Sequence, residues 1–209
     1  MLGSVSIAKL NPLSPRKQEI LEVAQRLFSQ AGYDGASMRQ IAEALDIQTA
    51  SLYSHYKSKD DMLWEIAIRC AREFHVHVLP FEKMDSSVEE RLRGMVRKHT
   101  ELIIENIDAS AIFFYEWKHL EDREEEKKAR KKHYQDLIQT YEQAFINVIE
   151  EGISKGDFRQ VPVKFITYTL LNCINWIQHW YKPKGKMTVG EITDEFEAFI
   201  INALKSNIR

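Results

Sequence analysis

Glycine and proline are scarce in this chain, eight and five residues respectively. With them goes most of the punctuation that strands and tight hairpins need, and no paired alternating runs flank a tight turn. Cysteine is down to two, Cys70 and Cys173, far apart and without a CxxC pair. That usage suits a reducing cytoplasm, the expected location, and excludes a secreted disulfide framework. Long hydrophobic runs are absent: the longest apolar stretches, 111–115 and 166–171, fall far short of the ~18 residues a membrane span needs. The first thirteen residues carry a lone Lys9 and no long apolar run, so no signal peptide is expected. Charge of one sign is missing too. Lys plus Arg is 29 against Asp plus Glu 31, which excludes a protein coated in nucleic-acid-binding charge and leaves room only for a local patch.

Catalytic and metal-binding signatures are also absent. There is no HExxH, no GxSxG, no phosphate-cradling glycine loop. His75 and His77 are two apart and point to different faces of a helix; His99, His119 and His179 stand singly. Glu101/Glu105 has the spacing of an ordinary solvated face. No catalytic residue, metal or cofactor is expected, and a helical enzyme is the disfavoured alternative. Both cysteines lie in apolar helix contexts, which favours inert packing over a redox sensor.

What is present is helix, and the fold class expected is all-α. At 209 residues the chain can bury a sizeable core without a disulfide or metal staple. Ser14 before Pro15 gives an N-cap and a proline at the first helical position. Capping-box spacing appears at Ser37/Gln40, Ser86/Glu89 and Thr188/Glu191, with Ser58/Asp61 as a relative. The map predicted from these starts has helices at 15–31 (stopping at Gly32), 38–45, 49–56, 59–79, 87–106, 109–120, 124–155, 162–181 and 189–206. In the first unit, Ile20, Val23, Ala24, Leu27 and Phe28 recur at helical spacing. Ile41, Ala44, Leu45, Ile47, Leu52 and Tyr56 supply the partner surface. Further on, Tyr134, Leu137, Ile138, Tyr141, Phe145, Val148, Ile149 and Ile153 form one stripe of a core helix in a larger bundle.

The stretch 37–56 has the form of a helix-turn-helix: a short amphipathic helix, a tight turn at Asp46-Ile47-Gln48, and a second short helix from Thr49. Outward on that second helix are Thr49, Ser51, Tyr53, Ser54 and His55, hydrogen-bonding side chains suited to a major groove. The order of residues resembles the TetR family of transcriptional repressors. The resemblance is carried by 28–33 (Phe-Ser-Gln-Ala-Gly-Tyr), by 37–45, and above all by Leu52-Tyr-Ser-His-Tyr-Lys-Ser-Lys59. There are two departures: Asp46 stands at a turn position where many members carry Gly, and Tyr56 where Phe is common. The resemblance implies an arm at 1–13, a three-helix DNA-binding domain at 14–58 and a ligand-binding and dimerisation domain at 59–209. It further implies that Tyr53, Lys57 and Lys59 clamp phosphates and that Thr49 caps the recognition helix. Ser37, Arg39, Ser51, Ser54 and His55 complete the expected DNA-contacting set. Residues 1–59 hold seven Lys/Arg and five Asp/Glu, so the DNA end is the less acidic one. The partner implied is a near-palindromic operator bound by a homodimer.

In the family the remaining helices bind a small molecule and dimerise through the last two. Here Ile166, Leu170, Cys173, Ile174 and Ile177, with Ile192, Phe196, Phe199, Ile200 and Ala203, supply the apolar faces. The segment from Asn175-Trp176 to Trp180-Tyr181, followed by Pro183 and Gly185, resembles the branch of TetR regulators that sense acyl-CoA thioesters. So does Glu116-Trp117-Lys118-His119-Leu120 with Tyr134 beyond it. That resemblance implies an effector site drawn from Phe74, His99, Phe113, Phe114, Trp117, Tyr134, Asn175, Trp176, His179 and Trp180. The run Lys127, Lys128, Arg130, Lys131, Lys132 would meet phosphates, or else form a solvated face through i,i+4 pairs such as Glu124–Lys128 and Glu126–Arg130. A multidrug sensor taking cations through Glu105, Glu116 and the same aromatics is the alternative.

Overall fold

The structure, a computed structural model, describes residues 12–116 and 125–205. All its regular elements there are helical: α1 (Pro15–Gly35), α2 (Met38–Ala44), α3 (Thr49–Tyr53), α4 (Lys59–Val78), α5 (Val88–Glu105), α6 (Ile107–Ala111), α7 (Glu125–Lys155), α8 (Val163–Asn175) and α9 (Val189–Leu204). Short 3₁₀ turns follow α4 and α8, and a π-helical segment, Ile112–Glu116, follows α6. No described helix is long and apolar enough to cross a membrane.

The predicted caps are where the helices begin. The Ser14 hydroxyl accepts the Lys17 amide, and Thr188 and Glu191 close a reciprocal capping box. Ser58 accepts the Asp61 amide at 3.1 Å. One start shifts by a residue: α5 is capped by Ser87 with Glu90, not by Ser86 with Glu89. Both pairs have the right spacing, and only Ser87 with Glu90 closes the reciprocal box; the helix buries Val88, Leu92, Met95, Val96 and His99 on one face. Gly32 breaks α1 as expected, at φ 73°, ψ 164°. Gly156, at φ 82°, follows the end of α7. The recognition helix is shorter than expected, ending at Tyr53 with Ser54 as its C-cap.

The residues fall into two compact units, Met1–Arg72 with Asp108–Asp136, and Glu73–Ile107 with Leu137–Arg209. The first has a core of Ile20, Val23, Ala24, Phe28, Ile41, Ala42, Leu52 and Tyr56. Leu27, Leu45 and Ile47 pack partly buried against it, whereas Ala44, expected in this surface, is exposed. The core does not stop at residue 58. Met62, Leu63 and Ile66 of α4 belong to it, and so does Ile112. The Ser29 hydroxyl also donates to Asp108 at 2.6 Å.

In the second unit α5 packs most extensively on α9. Ile192, Thr193, Glu197, Ile200, Ile201 and Leu204 turn inward. Glu197 takes Arg97 at 2.5 Å and Arg93 at 3.7 Å, and Lys205 reaches Glu89 at 3.0 Å. Burial pushes the Glu197 carboxyl up, and the two arginines oppose that shift. The α7 stripe is buried at Leu137, Tyr141, Phe145, Val148 and Ile149, with Ile138 and Ile153 half-buried.

The apolar faces of α8 and α9 divide. Leu170, Ile174, Ile177, Ile192 and Ile200 close this unit's own core, whereas Phe165, Tyr168, Cys173 and Phe199 are exposed, Phe165 by 66% and Phe199 by 61%. On α8 the exposed Phe165, Tyr168, Thr169, Asn172 and Cys173 recur at helical spacing, so the helix carries a second, outward stripe.

Gly32→Ala is expected to cost about 2 kcal/mol, because its φ/ψ region belongs to glycine, while no atom stands within 4 Å of the new Cβ. Urea unfolding checks this: the midpoint falls and the slope does not change.

Candidate nucleic-acid interface and effector site

The turn between α2 and α3 is built on one left-handed residue. Asp46 sits at φ 52°, a region Asp enters more readily than most side chains. The Ile47 amide returns to Ala42 O at 3.0 Å, closing the turn. Leu52, fully buried, holds α3 down on the core. That leaves Ser51, Tyr53, Ser54 and Lys57 outward and exposed, with Thr49 and His55 half-buried. Arg39 is 82% exposed on α2 and pairs with Glu43 at 2.7 Å.

Three expected contact residues have work inside the protein. Ser37 is the N-cap of α2, its oxygen accepting the Gln40 amide. The Ser54 hydroxyl donates to Ser51 O at 2.7 Å. The Lys59 ammonium donates to Tyr33 O at 2.6 Å and Ala36 O at 2.8 Å and lies 4.0 Å over the Tyr33 ring. Two of its three donors thus tie α4 to the chain end of α1. The Tyr33 hydroxyl, which donates to Asp60, is pushed upward in pKa by burial and then by that carboxylate. Thr49 does not cap the recognition helix: Gln48 holds the N-cap position, without a side-chain bond, and Thr49 is the first helical residue.

Of the expected effector residues, Phe113, Phe114 and Tyr134 gather in the first unit and Phe74, His99 and Asn175 in the second. In the first, the Phe113 and Phe114 rings lie 4.9 Å apart and Phe113 lies 5.1 Å from Tyr134. The Tyr134 hydroxyl donates to Phe113 O at 2.6 Å, within the π-helical segment. In the second, His99 is buried between two neutral partners, Tyr141 Oη at 2.7 Å from Nδ1 and Asn175 Oδ1 at 2.9 Å from Nε2. With the amide oxygen facing the ring, Nε2–H donates and Nδ1 accepts from the tyrosine, the arrangement of a neutral imidazole. Burial lowers the His99 pKa to about 4, the Asn175 bond opposing that shift. The rings of Phe74, Tyr141 and Phe145 stand 5.0 Å, 5.6 Å and 6.3 Å from it.

Tyr141 belongs to this set although its spacing on α7 marks it only as core. His75, bonded to Leu137 O at 2.9 Å with its ring 5.8 Å from Tyr141, joins it too. Trp176, His179 and Trp180 do not: they sit around the 3₁₀ turn after α8, with Trp176 and Trp180 exposed and Trp176 stacked 3.8 Å from His179. Trp117 and the Glu124–Lys128 and Glu126–Arg130 pairs rest on positions outside the described residues and side chains. Among the described residues no His/Cys/Asp/Glu group is placed to hold a metal ion.

An exposed recognition helix on a buried three-helix base, followed by a helical unit with neutral polar groups in an aromatic core, defines a class: a helix-turn-helix regulator with a separate helical domain. The chain belongs to the TetR family of bacterial regulatory proteins. Residues 20–66 match the family's N-terminal model and residues 85–204 the model of the tetracyclin repressor-like C-terminal domain. It is thus a DNA-binding transcriptional regulator. It is 27% identical over 194 residues to the HTH-type transcriptional repressor KstR2 of Rhodococcus jostii, covering 92% of this chain and 93% of that one. The ketosteroid transcriptional regulator KstR2 of Mycobacterium tuberculosis has the same fold, with a TM-score of 0.85 at 22% identity over 94% and 98% of the two chains. A structure of AibR in complex with isovaleryl coenzyme A and operator DNA is similar at 26% identity, TM-score 0.75, covering 88% and 97%.

The neutral His99 makes stability pH-dependent with a definite sign. Its folded pKa of about 4 lies below the ordinary value of 6.5, so the unfolded chain binds the extra proton as pH falls. Its contribution is complete above pH 6.5 and declines toward 4. Between about pH 7.5 and 5 the wild type is expected to lose about 2 kcal/mol more than His99→Gln. Urea unfolding of both proteins at the two pH values measures the difference.

Proposed function

We propose that this chain is a cytoplasmic repressor, acting by binding and not by catalysis, whose operator affinity falls when an acyl-CoA thioester binds beyond the DNA-binding head. The observation that carries the effector class is the neutral polar group set in the second unit's core. His99, Tyr141 and Asn175 offer hydrogen bonds without charge amid Phe74 and Phe145, which suits an acyl chain and its carbonyl better than a cation. Phe113, Phe114 and Tyr134, in the first unit, form an aromatic set of their own. The likeness to AibR, held with isovaleryl coenzyme A, supports the same class. For a cationic ligand, Glu105 is exposed and offers no buried counter-charge.

Arg39, Ser51 and His55 read the groove in this proposal, Thr49 and Tyr53 contact the backbone, and Lys57 and the remaining Lys59 donor meet phosphates. The outward faces of α8 and α9, with Phe165, Tyr168 and Phe199 uncovered, are the homodimer interface. Apolar patches of that kind mark association surfaces.

The effector test is a thermal-melt panel of acyl-CoAs of several lengths, free fatty acids, coenzyme A and cationic dyes. A bound ligand at about 100 times its dissociation constant adds about 2.7 kcal/mol. A shift confined to acyl-CoAs supports the proposal; a shift confined to cations overturns the effector class. Because AibR holds effector and operator DNA together, DNA affinity is then measured directly, by anisotropy with and without the ligand. Lys57→Ala is expected to weaken binding to all sequences alike and to lower the salt slope by about one per head; a change in sequence preference alone would contradict the phosphate assignment. Phe199→Glu is expected to convert dimer to monomer, read by sedimentation velocity.

A further inference from the structure

Arg130 stands out in the first unit because its partner lies 69 residues away. Its Nη1 donates to Asp61 Oδ1 at 2.9 Å, and its guanidinium lies 5.8 Å over the Trp64 ring. Both side chains of the pair are mostly buried, at 22% and 28% exposure, so solvent screens the attraction less than on an open surface. Asp61 is also the residue that closes the start of α4: its amide donates to Ser58 Oγ, and its other oxygen, Oδ2, accepts from the Ser58 hydroxyl at 3.0 Å. One carboxylate therefore serves the helix cap with one oxygen and α7 with the other.

The side chain of Lys59, on the carbonyls of Tyr33 and Ala36, and Met62, Leu63 and Ile66 in the core tie α4 to the head, while the Arg130 bond is made to the first turn itself. The Ser58 cap is complete without Arg130. A cavity of about 580 Å³ opens beside the pair, lined among others by Lys17, His55, Lys57 and Trp64. Arg130 also stands six residues before the point, after Asp136, where the continuous helix α7 passes from the first unit into the second.

We propose that Arg130 and Asp61 are positioning residues for DNA binding: through this pair α7 holds the first turn of α4, and with it Lys57 and the recognition helix, in the operator-binding arrangement. Neither residue touches DNA. The pair ties the start of α4 to α7 within the first unit. The inference rests on the family's DNA-binding function, and its first readout is independent of DNA.

The test uses the full chain as Arg130→Met, Asp61→Asn, the double variant and Arg130→Lys. The amide introduced by Asp61→Asn retains an oxygen for the Ser58 hydroxyl. Without DNA, hydrogen exchange of the α4 first-turn amides is expected to speed up severalfold in each single variant and no further in the double. With a duplex enriched by the wild type from a randomised pool, Kd is expected to rise five- to tenfold in each single variant, with no added loss in the double and partial recovery in Arg130→Lys. The salt slope stays at the wild-type value, because no phosphate contact is lost. Unchanged exchange, unchanged Kd, losses that add, or a slope lower by about one per head would each overturn the proposal. A wild type that enriches no sequence while its exchange pattern behaves as stated would count against the DNA-binding reading instead.

Discussion

A helix-turn-helix head is too small to hide its own apolar surface. Three short helices bury Ile20, Phe28, Ile41 and Leu52 against one another, but they do not supply the whole of that cluster. The rest comes from elsewhere in sequence: Met62, Leu63 and Ile66 of α4, and Ile112 from the start of the π-helical segment. Everything exposed on α2 and α3 is held in place by this borrowed closure. The next side chain after Ile112, that of Phe113, belongs to the aromatic set with Phe114 and Tyr134. Adjacent residues of a five-residue segment thus serve the base of the head and a buried aromatic cluster.

Around that core the polar side chains divide into those bonded within the protein and those that stand exposed on the head's surface. Ser37, Ser54 and two donors of Lys59 are spent on caps and carbonyls, while Tyr53, Ser51 and Lys57 are left over. A hydroxyl or ammonium already bonded inside the fold brings geometry to an interface more than it brings new bonds. The head's outward chemistry is consequently narrower than its sequence suggests, and it is concentrated around the end of α3.

Local rules made much of this legible. Helix starts follow from single side chains that bond amides two or three residues on, so Ser14, Ser37 and Thr188 are readable, as is the break at Gly32. The Ser86/Ser87 ambiguity shows the limit, since two cap spacings one residue apart fit the sequence equally well. Periodicity marks Tyr141 as core but says nothing of His99 beside it, 42 residues away in the chain. The Arg130–Asp61 pair was hidden for the same reason, and the i,i+4 carboxylates near Arg130 offered a cheaper local partner. The apolar faces of α8 and α9 were visible, but not how they divide between the unit's own core and its outside. Composition cannot distinguish one wide stripe from two opposed ones.

That division makes α8 amphipathic twice over, with Leu170, Leu171 and Ile174 inward and Phe165, Tyr168 and Cys173 outward. A face of that kind has no good resting state in dilute water. Once two copies cover it, folding stability becomes linked to the number of copies present. The concentration of this regulator then becomes a thermodynamic variable in its own right: dilution loosens the fold, and accumulation tightens both the protein and its hold on DNA.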